Sequence, residues 1–135
     1  EGSPFMHRFQ VFALALLGSL ALPLAAHHSF ATVFDMNKPA TFSGTVTKVE
    51  WTNPHAWFYV DVKDEKGVVH NYACETGPPN VLARNGWKKD SLKIGDTVNV
   101  SAYRAKDGTD TFSTRQITLP DGRKVFAGSA ADEGK

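Results

Sequence analysis

The segment Ala56–Lys63, AWFYVDVK, constrains this chain more than any other. Trp57, Tyr59, Asp61 and Lys63 alternate with Phe58, Val60 and Val62, the period-two pattern of a β-strand with one face buried. Thr41–Trp51, TFSGTVTKVEW, precedes it. That segment is rich in β-branched residues and interrupted by Gly44, which predicts a strand with a bend or bulge. Thr52-Asn53-Pro54-His55 joins the two as a turn. Asp64-Glu65-Lys66-Gly67 predicts a hairpin turn into a third strand, Val68–Glu75.

Pro78–Trp87, PPNVLARNGW, predicts a short helix: Pro79 suits its first turn and Asn85-Gly86 its end. Leu92-Lys93-Ile94-Gly95-Asp96 then leads into a fourth strand, Thr97–Arg104. Lys106-Asp107-Gly108 turns into a fifth, Thr111–Leu119, and Pro120-Asp121-Gly122 turns into Arg123–Phe126. The expected fold is all-β with one short helix: a five-stranded OB-fold-like Greek-key barrel, the helix lying between strands 3 and 4. A small β-sandwich fits less well, because the strands are few and the helix interrupts them.

The chain has 135 residues and a single cysteine, so it fits one domain and forms no internal disulfide. A net charge of +1 argues against nucleic acid as a partner. Residues 1–5 precede Met6 and read as a cloning remnant. Residues 6–26 read as a signal peptide: a basic-leaning start at His7-Arg8, the apolar run Val11–Leu22, then Pro23 ahead of Ala25-Ala26. A membrane anchor fits less well, since Phe9–Ala26 contains Gln10, Ser19 and Pro23. The expectation is export to a bacterial periplasm or beyond, with membrane contact only through an uncleaved leader. Residues 27–40 then form an N-terminal arm, 41–127 the barrel and 128–135 a disordered tail. In an oxidising compartment Cys74 is expected to be buried and inert.

Histidine supplies the first candidate site. His27 and His28 lie at the expected mature terminus and His55 in the turn between strands 1 and 2. Cleavage after Ala26 makes His27 the terminal residue, able to chelate Cu(II) through its amine and ring, with His28 or His55 adding a third nitrogen. Cleavage after Ala25 puts His28 third, where an amine, two backbone amides and an imidazole make a square-planar copper or nickel site. Zinc fits less well, because the usual Cys/His spacing is absent. A solvated His-His arm, with His55 bonded to its own turn, is the plain alternative.

Aromatic residues supply the second. Trp51 and Trp57 flank the Asn53-Pro54-His55 turn and frame a candidate pocket, with Asn53 and His55 as polar groups and Tyr103 at the same end. Phe58 and Trp87 read as core. For catalysis, Glu50, Asp61 and Glu75 are carboxylates near strands 1–3, and Cys74 neighbours Glu75. His70 and Cys74 share a face but stand roughly 13 Å apart at strand rise, too far to form a nucleophile–base pair. No Ser-His-Asp, phosphate-loop or dinucleotide motif occurs, so a non-enzyme is expected.

HHSFATVFD, GTVTKVEWTNPHAWFYVDVKDEKG, GPPNVLARNGW and LPDGRKVFAG together resemble a family of small exported bacterial proteins catalogued as a domain of unknown function. WTNPHAW and the His-His-Ser-Phe start are the most specific parts, and the likeness spans His27 to about Gly128. It implies export and a compact β domain, and no activity. More loosely, the strand order resembles periplasmic OB-fold proteins of stress tolerance or ligand binding, a fold-level analogy. The sequence thus predicts an exported binding protein with two candidate ligands: copper at His27, His28 and His55, or a small molecule, peptide or envelope partner at the aromatic turn.

Overall fold

The computed structural model describes residues 30–128. Six strands and a helix follow in order: β1 (Phe34–Glu50), β2 (Trp57–Lys63), β3 (Val69–Glu75), α1 (Pro79–Arg84), β4 (Thr97–Ala105), β5 (Thr111–Thr118) and β6 (Lys124–Phe126). Residues 30–33 add a helical turn before β1. The strands form one sheet of order β3-β2-β1-β4-β5-β6, antiparallel between these neighbours. A parallel pairing of Ala73–Glu75 with Thr111–Ser113 joins β3 to β5 and closes a ring of five strands. The element order is the expected one. β6 adds a short edge beside the second half of β5.

β1 makes closure possible. Its first part pairs with β4 and its last part with β2, both meeting at Thr45. Gly44 sits at this exchange. A Cβ there would stand 2.2 Å from the Asp61 carbonyl oxygen and 2.6 Å from a Val60 methyl, so the residue permits a close approach of two backbones. The bulge expected at Gly44 falls later: the register with β2 shifts between Val46 and Lys48. That extra residue reverses the facing of everything after it. Val46 packs in the core before the bulge and Val49 and Trp51 after it.

Phe58, Val60, Cys74, Val98, Val100, Phe112 and Ile117 fill the ring. Phe42, Tyr72 and Phe112 pack against one another with centroids 4.7–4.9 Å apart, Phe42 edge-on to Tyr72 and the other two pairs tilted. Leu82 of α1, with Trp87 and Leu92 after it, belongs to the same core. Trp87 is fastened by its Nε1, which donates to the Phe126 carbonyl at 2.8 Å. α1 carries Pro79 in its first turn and ends at Asn85-Gly86, where Gly86 adopts φ +89°; it is shorter than the predicted Pro78–Trp87.

The arm expected over residues 27–40 is part of the sheet in its second half. β1 begins at Phe34, which pairs with Ala105, and Pro39 pairs with Tyr103. Phe30, Phe34, Tyr103 and Ala105 form a second buried cluster, separate from the main core. The expected signal peptide over residues 6–26, His27, His28 and residues 129–135 lie outside the described residues. Among the described residues no helix is long and apolar enough to cross a membrane.

Candidate functional site

His55 follows a turn whose Asn53-Pro54 bond is cis. Its Nδ1 contacts Glu75 Oε1. The two residues are 20 apart in sequence and meet because Trp57 pairs with Glu75 across the β2–β3 hairpin. Backbone bonds hold the hairpin shut just beyond that rung. Ala56 N–H donates to the Gly77 carbonyl, and Thr76 donates to the Ala56 carbonyl from its N–H and its hydroxyl. The His55 ring is about a third exposed and the Glu75 carboxylate less so, at 36% and 19%.

The expected bond of His55 to its own turn is made by its backbone, whose carbonyl accepts from Thr52 Oγ1 at 3.3 Å. Its ring reaches to β3 instead. Glu75 appeared in the sequence only as one of several carboxylates. The signal for its role was the hairpin register: strands running back from the Asp64–Gly67 turn bring the residues before Trp57 to the end of β3.

Across the ring one rung runs Trp57, Glu75, Ser113, Tyr103. Their neighbours Phe58, Cys74, Phe112 and Ala102 belong to the main core, so the members of this rung face outward. Ser113 is nevertheless only 3% exposed. Tyr103 is buried beneath the Phe30 ring, with centroids 6.2 Å apart and edge-on, and Arg115 lies over its ring.

The aromatic candidates divide. Trp51 and Trp57 line one slot together with Trp87, Ala56, Leu82 and Leu92, with Lys88 and Lys89 beside them. Asn53 is exposed in the turn and does not line it. Nor does Tyr103, which the sequence grouped with these residues; it belongs to the Phe30 cluster. The slot has about 10 Å³ of free volume, roughly the room for one water. Phe58 and Trp87 are core, as expected.

Cys74 is fully buried, and burial pushes its thiol far above the ordinary range. His70 does not approach it as a base. The His70 ring lies between Asp64, 3.0 Å from Nε2, and Asp110, 3.6 Å from Nδ1. Asp110 is itself paired with Arg104 at 2.8 Å.

A family model described as a family of unknown function, DUF6152, matches residues 15–114. The chain belongs to DUF6152. The match takes in the His27–His28 segment, the Trp51–Trp57 turn, Glu75 and Tyr103, so both candidate sites fall within the DUF6152 region. No curated protein matches the chain. Among the described residues of this DUF6152 protein, no three His, Cys, Asp or Glu side chains are grouped so as to hold a metal ion.

Proposed function

We propose that this protein is an exported copper-binding protein, using the amine and ring of His27, with His28 and His55, the latter from the folded domain, as candidate co-ligands. The closed five-strand ring with a helix between β3 and β4 supports the OB-fold reading of that domain. One observation carries the functional reading. Glu75, which holds His55, lies on the same outward rung as Tyr103, two strand positions away, and Phe30 packs on Tyr103. Adjacent strands are about 4.8 Å apart, so the rung spans on the order of 10 Å from Glu75 to Tyr103. His28 precedes Phe30 by two residues, and two residues reach about 7 Å. That reach is comparable to the span of the rung, which supports assigning His27 and His28 to one site with His55.

The test is native mass spectrometry of protein exported by its own leader and purified without chelator. A mass beginning at His27 with one copper retained is expected. A processed protein that stays bare after added Cu(II) overturns the reading. His55→Ala should weaken retention and leave the fold intact.

The second reading, a partner docking at the Trp51–Trp57 turn, draws on the slot that gathers all three tryptophans beside two lysines. It predicts that Trp57→Ala abolishes capture of that partner and leaves copper unaffected.

A further inference from the structure

We propose that Glu75 is a positioning residue: it holds the neutral His55 ring in the tautomer protonated at Nδ1 and so presents Nε2 as the donor atom to a metal. This rests on the copper reading for its function, and on geometry alone for the tautomer. An ionised carboxylate only accepts hydrogen bonds. Its contact with Nδ1 therefore requires a proton there, and in a neutral imidazole the lone pair is then on Nε2.

Both partners are fixed through their backbones. Ala56, beside His55, is tied to Thr76 and Gly77, and Glu75 is paired with Trp57. The ring also keeps enough exposure to meet a ligand. A carboxylate behind a histidine in this way orients the ring and raises its basicity toward a metal. The same pairing selects Nε2 over Nδ1 as the ring's free donor.

Two measurements separate the tautomer from the metal. The first is long-range ¹H–¹⁵N NMR of the imidazoles in copper-free protein, at a pH where His55 is neutral. The expected result is Nδ1–H in the wild type, a shift toward Nε2–H in Glu75→Ala, and partial retention of Nδ1–H in Glu75→Gln, whose amide oxygen still accepts. A wild-type ring protonated at Nε2 overturns the proposal without any variant being needed. The second is Cu(II) titration of the processed protein. Glu75→Ala should weaken binding by about 10–100-fold, the usual cost of losing an outer partner, with Glu75→Gln in between and ¹⁴N couplings in pulsed EPR altered. Equal copper binding in wild type and Glu75→Ala overturns the positioning role and leaves the copper reading standing. An Nδ1–H tautomer in a protein that holds no copper supports the Glu75–His55 pairing and overturns the copper reading, and with it the metal-presenting role of Glu75.

Discussion

Gly77 lies flat against Gly128. Its N–H donates to the Ala127 carbonyl at 2.9 Å, and a Cβ on Gly77 would stand 2.0 Å from the Gly128 carbonyl oxygen. This contact joins the segment leaving β3 to the segment leaving β6, and Gly77 also accepts from Ala56. The obstacle is backbone, which cannot swing aside as a flexible side chain can. Gly77→Ala is therefore expected to lower stability by about 1–3 kcal/mol or more, the range for overpacking a filled site. The urea midpoint measures it. A midpoint within error of wild type would mean the two segments can part at no cost.

Cys74 offers a probe of the whole ring. Its side chain has no exposure, and burial holds the thiol protonated. It lies opposite Phe112, where β3 meets β5 and the ring closes. A thiol reagent should leave the native protein unlabelled and react only as the ring opens, with a labelling midpoint in urea coincident with that of circular dichroism. Rapid labelling without denaturant would show that the β3–β5 closure opens on its own.

The alternation in Ala56–Lys63, the turns at glycine and the place of the helix were legible because each is encoded locally. β1 was legible only in part. Its odd spacing between Val46 and Val49, two residues that both face inward, is what a bulge writes into a sequence. Gly44 drew attention instead, and its reason is the approach of Asp61 and Val60 from another strand. The Asp64–Gly67 turn suggested a tight hairpin, but Lys63 pairs with Val69, one residue further than a four-residue loop gives. Tyr103 was grouped with the Trp51 turn by its strand end. Its burial under Phe30 depends on where residues before β1 fold, and no local pattern records that. Glu75 was visible as a carboxylate, and its partner His55 only as a turn residue, because their meeting is a matter of strand register.

His70 should make stability depend on pH. The Asp64 hydrogen bond raises its pKa, helped by the charges of Asp64 and Asp110, and opposed by desolvation. The same hydrogen bond, with backbone N–H groups of Val68 and Lys66, lowers that of Asp64. Arg104 pairs with Asp110 from β4 and completes the charged set around the ring. A raised histidine pKa contributes stability fully present below the unfolded value of 6.5 and lost as pH rises through the folded one. A lowered Asp64 contributes stability present above its unfolded value and lost on acidification. The pair thus acts most between about pH 4.5 and 6.5. His70→Gln should narrow the gap to wild type on going from pH 5.5 to 8.5, both figures approximate, and the effect should shrink in salt because the groups are exposed. Urea midpoints across that range decide it. A difference that grows with pH would reverse the sign and remove the ion pair as its cause.

Phe30 is expected to anchor the arm without supporting the body of the domain. Its cluster with Phe34, Tyr103 and Ala105 is separate from the ring core, and Lys106 N–H donates to the Val33 carbonyl beside it. Removing the ring in Phe30→Ala forfeits one edge-on and one tilted aromatic contact, each worth about 0.5–1.5 kcal/mol beyond area burial. The loss should fall on local opening. The Lys106 amide should exchange faster with solvent, while amides of Val60 and Val100, deep in the ring, keep their protection. If His27 and His28 reach His55 because Phe30 tethers them, the same variant weakens copper binding by about tenfold through a lower effective concentration of the arm, although Phe30 is no ligand. Faster exchange at Lys106 with unchanged copper affinity would show that Phe30 plays no part in copper binding.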